Sequence, residues 1–275
     1  MRGVDPTRRL FVQSAGSLIL SSSLAHALPG QNRLGVKALF FDVFGTLTDW
    51  RTGVAREARA LLAPLGYRLD WLSFADAWRA QYLPITGEVR SRRQPYAKLD
   101  VLERRVLDKI IPQFGLEKLS EDMRQRLTLA WHHLDAWPDV NEGLARLGRR
   151  FLLAPVSNGN IALMADIAAR NGWRWDAVLG ADIAHDFKPN RDVYLAAADA
   201  LNLAPRQCMM VAAHDIDLTH GGASGAGLKT AFIPVPMNSA KAMARKNRQA
   251  RWILSRPAFP RLQMHSAPRP RVSSS

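Results

Sequence analysis

At 275 residues, 47% hydrophobic and 23% charged, the chain can bury a full α/β core and a modest second domain. Its net charge of +14 suggests nucleic acid or membrane only until it is located: residues 1–35 carry +3 and residues 240–275 carry +9, leaving +2 for the middle. That distribution argues against nucleic-acid binding by the folded part. No stretch reaches the ~20 apolar residues of a membrane span, so stable membrane insertion is not expected. The single cysteine, Cys208, excludes an intramolecular disulfide and lies in an apolar run as a small buried hydrophobe.

The amino terminus has paired Arg8-Arg9, Phe11 two places on, a weakly apolar Ser-rich run to Leu24, and Ala25-His26-Ala27. This layout is that of a twin-arginine export signal over residues 1–27, with cleavage near Ala27 and a periplasmic mature protein. If the signal is not used, the protein is cytoplasmic.

The run Val36–Trp50 then reads as a strand buried on both faces, Ala38 to Phe41, that stops at Asp42. A carboxylate at the end of a buried strand is costly unless it has a task. Gly45 allows a tight turn behind it, and Thr46 can aim a hydroxyl back at the acid. The bland alternative is an Asp that caps a turn.

Helical periodicity follows. Ala55, Ala58, Leu61, Leu62 and Leu65 mark one helix stopped by Gly66. Phe74, Ala75, Trp78 and Tyr82 mark a second, Leu99, Leu102, Val106 and Ile110 a third, and Ser120 caps a fourth through Leu134. Nothing between residues 53 and 137 reads as a strand. By spacing alone Arg79 is a helix-face arginine.

Pro138–Leu147 reads as a short helix, and Phe151–Val156 as a second buried strand ending in Ser157-Asn158-Gly159. A hydroxyl and an amide at a strand's carboxyl end can hold a carboxylate or an oxyanion; three good turn formers can also simply make a turn. Lys188-Pro189 precedes a helix over Arg191–Leu201 that carries Tyr194. A lysine near Asp42 would keep that carboxylate ionised. Cys208–Ala212 is a further strand, followed by His214, Asp215 as a turn or surface acid, and Asp217; Lys229–Pro234 is the last strand. Residues 237–275 are rich in Arg, Lys and Pro with little periodicity, and disorder is expected there.

The pattern strand-Asp42-x-x-Gly45-Thr46-Leu47, then Ser157-Asn158, then Lys188-Pro189-x-x-x-x-Tyr194, resembles the motifs of the haloacid dehalogenase superfamily. The Asp42-Val43-Phe44-Gly45-Thr46 form with Trp50-Arg51 is closer to its (S)-2-haloacid dehalogenase (type II) branch. The resemblance implies a doubly wound, mainly parallel Rossmann-like α/β core from residues 36–52 and 138–236, with a helical cap inserted at 53–137. It makes Asp42 a covalent nucleophile, with Lys188, Thr46 and Asp217 as catalytic partners. Arg79 and Asn158 receive the halide, Ser157 holds a carboxylate, and Tyr194 and His214 face the site. Backbone amides near Val43 and Phe44 take the substrate's acid group. It implies no cofactor and no metal, with a small halogenated carboxylic acid as partner; a homodimer is left open.

The chain departs from the pattern at Ala212, where the best-known dehalogenases carry serine, and at His214, where they carry asparagine. Phosphatases of the superfamily place Gly-Asp where this chain has Ala212-Ala213, and a second acid where it has Phe44. That second acid protonates a poor alkoxide leaving group, whereas halide leaves as a stable anion. The expected reaction is therefore hydrolysis of a short 2-haloalkanoic acid through an aspartyl ester. A phosphatase-like hydrolase and a non-catalytic exported binding protein are the rivals.

Overall fold

In the computed structural model, which describes residues 35–219 and 221–235 and the strand backbone of 263–265, the apolar run before Asp42 forms strand β1 (Ala38–Phe41). Five helices follow: α1 (Trp50–Leu62), α2 (Trp71–Ala80), α3 (Tyr82–Arg90), α4 (Leu99–Ile110) and α5 (Glu121–Thr128). The chain then runs α6 (Val140–Leu147), β2 (Leu152–Ser157), α7 (Ile161–Asn171), β3 (Leu179–Gly180), α8 (Ala181–Ala184) and α9 (Arg191–Ala200). It closes with β4 (Cys208–Ala212), α10 (Asp215–Leu218), β5 (Lys229–Phe232) and β6 (Gln263–His265). The expected twin-arginine segment lies outside the described residues, as does most of the basic tail. Within that tail the expectation of disorder does not hold for 263–265, which pair antiparallel with β5.

The sheet order is β3-β2-β1-β4-β5-β6, and the first five strands are parallel. Strand alternation sorts its side chains onto two faces. Leu39, Phe41, Leu153, Met209 and Val211 join one buried cluster, while Ala38, Phe40, Ala154, Val156, Met210 and Ala212 join the other. Both faces are covered, which is why β1 carries no polar residue. Pro155 is tolerated within β2 because the backbone N–H of Leu153, pointing to the same side, is taken by the Asp176 carboxylate at 2.8 Å rather than by a strand. The winding reverses between β1 and β4, so the ends of these neighbours, Asp42 and Ala212, flank the topological switch point.

Caps set the inserted helices. Asp49 accepts from the Thr52 N–H and Asp70 from those of Leu72 and Ser73, each at 3.1 Å, and Gly66 ends the first segment at φ +90°. The expected second helix does not run unbroken to Tyr82: α2 stops at Ala80 and α3 begins at Tyr82. Pro84 explains the break, since its ring would collide with the carbonyl of Ala80 in a continuous helix. The insertion leaves and rejoins the core through a two-stranded neck, with Asp49 N–H to the Asp135 carbonyl at 3.1 Å and Trp137 N–H to the Leu47 carbonyl at 3.0 Å. Further ties cross from insertion to core: His132 bridges Asp100 at 3.1 Å and Asp166 at 2.7 Å, and Tyr96 donates to Asp182. No described helix is long and apolar enough to cross a membrane.

Candidate active site

Asp42 stands one residue past β1, 6% exposed, with both oxygens engaged. Lys188 Nζ donates to Oδ1 at 2.9 Å and Thr46 Oγ1 donates to Oδ2 at 2.6 Å. His214 Nδ1 lies 2.9 Å from the same Oδ2, where it donates when it carries the proton. The Thr46 hydroxyl is itself fixed, because it accepts the Ala213 N–H at 2.9 Å. Burial opposes the charged carboxylate, but Lys188, His214 and Thr46 together outweigh it and hold Asp42 well below the usual carboxylate range. The acid is kept ionised and desolvated, the condition of a nucleophile.

Lys188 is buried between two acids. Its ammonium also donates to Asp217 Oδ2 at 2.9 Å, and Tyr194 donates its hydroxyl to Asp217 Oδ1 at 2.9 Å. Burial works against the ammonium, yet the two carboxylates raise it above the ordinary lysine value. Burial beside Asp217 likewise pushes the Tyr194 phenol up, so it stays a donor. The backbone of Lys188 is clamped as firmly: its N–H donates to Asn158 Oδ1 at 2.6 Å, and its carbonyl accepts from Asn158 Nδ2 at 3.3 Å and Arg90 Nη1 at 3.2 Å. Asn158 is thus placed as a brace for Lys188. Ser157 is buried, and its oxygen accepts the Gly159 N–H at 3.1 Å; the structure does not put it on the Asp42 carboxylate.

Above Asp42 the insertion supplies a box. The Arg79 guanidinium lies 3.8 Å from the centre of the Tyr82 ring, 5.6 Å from Trp50 and 5.9 Å from Phe44. Trp131 closes it, edge-on to Phe44 at 5.9 Å and stacked on Trp50 at 6.1 Å. Nη1 of Arg79 is buried with no partner among the described residues, a cation donor in apolar walls. Beside Asp42, the tight turn spends the Val43 carbonyl on Leu47, Thr48 and the Thr48 hydroxyl. Among the described residues nothing accepts from the backbone N–H groups of Val43 and Phe44, although both residues are buried. Two unpaired amides beside an ionised acid can hold a carboxylate.

Asp42, His214 and Asp217 offer ligand atoms within 4.8 Å of one another, the spacing of a cation site. The Lys188 ammonium already bridges Asp42 and Asp217, however, and Ala213 stands beside them without a ligand. A divalent ion would have to share both carboxylates with a buried ammonium, which weakens this set as a cation site. Sequence reasoning found Asp42, Thr46, Lys188, Tyr194, His214 and Asp217, which the fold brings together. It placed Tyr82 only as a helix-face apolar residue and missed Arg90, whose long side chain reaches the core from α3. Pro84 was the signal that Tyr82 opens a new helix beside Arg79.

An open parallel sheet with a buried, lysine-held aspartate at its switch point and a helical insertion above is an architecture in which an aspartate can serve as a nucleophile. The model of the haloacid dehalogenase-like hydrolases matches residues 36–214. The chain is 31% identical to (S)-2-haloacid dehalogenase 1 of Pseudomonas sp. (strain CBS-3) over 202 residues, covering 72% of this chain and 84% of the relative. A solved L-2-haloacid dehalogenase is 42% identical, with a TM-score of 0.69, over 74% of this chain and 86% of that one. A solved defluorinating L-2-haloacid dehalogenase is 37% identical, with a TM-score of 0.72, over 74% and 83%. The chain belongs to the haloacid dehalogenase-like hydrolases, in the (S)-2-haloacid dehalogenase family.

Proposed function

We propose that this enzyme hydrolyses short 2-haloalkanoic acids to 2-hydroxy acids through an ester on Asp42. An Asp42 oxygen attacks C2, the C–O bond forms, and the C–X bond breaks with its electron pair on halide. Water then attacks the ester carbonyl of Asp42. Asp217, oriented by Lys188 and Tyr194, positions that water and takes its proton, with His214 beside it. The hydroxy acid leaves and Asp42 is restored. Arg79 receives the halide in its aromatic box, and the Val43 and Phe44 amides hold the substrate carboxylate. The reading is supported by the relatives named as 2-haloacid dehalogenases.

One observation carries the choice of leaving group. Asp42 is poised as a nucleophile, while two residues later Phe44 packs against Trp131 and Arg79. An apolar wall there suits a group that departs without a proton. Export through the Arg8-Arg9 leader, with a periplasmic mature enzyme, is part of the proposal.

The test is chloride release from (S)-2-chloropropionate and from chloroacetate, with and without EDTA, for wild type and Asp42→Asn. We expect release that EDTA does not change and that Asp42→Asn reduces to background. Equal rates in the variant, or release abolished by EDTA, would sink the mechanism. EDTA-sensitive cleavage of a phosphate ester would favour the phosphatase reading.

A further inference from the structure

Glu103 on α4 is 1% exposed, and neither carboxylate oxygen has a partner among the described residues. A carboxylate so placed is unstable unless something offsets its burial. Across from it on α2, Trp78 donates its indole N–H to the Glu103 carbonyl at 3.1 Å, and the next residue is Arg79. Arg79 Nη1 is buried and unpartnered too. Two groups of opposite potential charge are therefore both buried and unsatisfied, linked through the Trp78–Glu103 hydrogen bond and close enough for their charges to interact, without hydrogen-bonding each other.

Other charges near α4 are already committed. Arg104 pairs with Asp108 and Glu121, Arg124 of α5 with Asp108, and Glu88 of α3 with Arg93. Arg90 of α3 bonds Thr86 and the Lys188 carbonyl; Asp76 of α2 pairs with Arg51. Asp100, on α4 itself, is bonded by Asn160 and His132. The charges that act on Glu103 are those of Arg79 and, in the opposite sense, Asp100.

We propose that Glu103 is a positioning residue that sets the halide affinity of Arg79 by exchanging one proton. Protonated, it leaves the guanidinium charge free for the anion; ionised, it competes for that charge. The proposal rests on Arg79 being the halide-receiving group described above. Burial supports it by pushing the Glu103 carboxyl up to about 8, against the pull of Arg79 and of the nearby Trp78 indole N–H, which is too far or too bent to count as a full hydrogen bond to the carboxylate. A bound halide cancels part of that pull and raises the acid further. Halide binding therefore takes up a proton between the two values, and affinity falls with rising pH by at most about tenfold per unit.

The experiment titrates bromide into the full chain from pH 7.5 to 9.5, read by quenching of the tryptophans around Arg79. Proton uptake is measured by calorimetry in buffers of different ionisation enthalpy. Wild type should bind bromide about tenfold more weakly at pH 9.5 than at 7.5 and take up about half a proton near pH 8.5. Glu103→Gln and Glu103→Met should show a flat profile and no uptake through this group. Both variants keep Lys188, His214 and the tyrosines, so the difference isolates Glu103. The same profile in wild type and variants would overturn the proposal. So would absent bromide binding in wild type, or binding unchanged in Arg79→Met. If neither Glu103 variant folds, wild type alone decides, because no proton uptake on binding refutes the idea. Bromide binding as expected without turnover of any haloacid would overturn the dehalogenase reading and leave this one standing. Turnover with pH-independent bromide binding would do the reverse.

Discussion

Replacing Lys188 by Met removes the one cation between two buried acids. Asp42 and Asp217 would then face each other with ligand oxygens within 4.8 Å. At an effective dielectric of about 20, two like charges at that distance repel by about 3.5 kcal/mol, or about 2.5 pKa units. Added to an ordinary aspartate value of about 3.9, this puts one proton on the pair up to about pH 6.4 before the cost of burial is counted. Wild-type Asp42 behaves oppositely: its folded-state value is depressed, so its ion pairs stabilise the fold above the unfolded value and are lost only in stronger acid. The shared proton, raised further by burial, and the loss of one charge-stabilising donor should together lower the rate of halide release by Lys188→Met at pH 7 by about 10²–10³-fold. Part of the rate should return as pH rises and the shared proton leaves. Stability should fall by about 3–5 kcal/mol at pH 8, where a buried charge is left unpaired, and by less at pH 5. The assay is chloride release from (S)-2-chloropropionate across pH 5–10, with thermal unfolding at both ends. A folded variant with the wild-type pH profile, or with the wild-type rate at pH 7, would refute this account of how Asp42 is kept ionised.

Gly180 sits at φ +123°, and an added Cβ would lie 2.2 Å from the Ser157 carbonyl oxygen and 2.7 Å from its nitrogen. Both are backbone of the strand that presents Asn158, so Gly180→Ala should cost roughly 3–5 kcal/mol and lower the melting temperature by about 10 °C. An unchanged melting curve would contradict the close approach of β3 to β2. Changing Arg8-Arg9 to Lys-Lys in a tagged full-length chain should retain the enzyme in the cytoplasmic fraction, while the unaltered leader delivers it to the periplasm. Equal distribution of the two would remove the export proposal.

The core and the nucleophile were legible in the chain because their signals are local. Ala38–Phe41 and Cys208–Ala212 are uninterrupted apolar runs, and a strand buried on both faces has no other way to be written. Lys188 and Tyr194 were legible through the motif they complete with Asp42. Strand β3 was not: two residues, Leu179 and Gly180, carry no periodicity, and they pair because Gly180 lets the backbone approach Ser157. Helix α7 is likewise absent from the expected elements, although Leu163, Met164, Ile167 and Ala168 recur at helical spacing.

By itself, then, the order of residues determined the doubly wound class, the aspartate at the end of β1 and, through Phe44, a leaving group that needs no proton. These follow from which side chains tolerate burial and which chemistry a single position can serve. Tertiary structure alone decided how the polar groups divide their work. Asn158, expected from the motif as an anion ligand, also braces the Lys188 backbone with both its side-chain polar atoms, and the Ser157 oxygen also accepts the Gly159 N–H. Glu103 and Arg79 lie 24 positions apart on separate helices, and only the packing of α2 on α4 makes them neighbours in charge. Hydrogen bonds and Coulomb forces act over a few ångströms of space, and distance along the chain does not reveal which groups will share them.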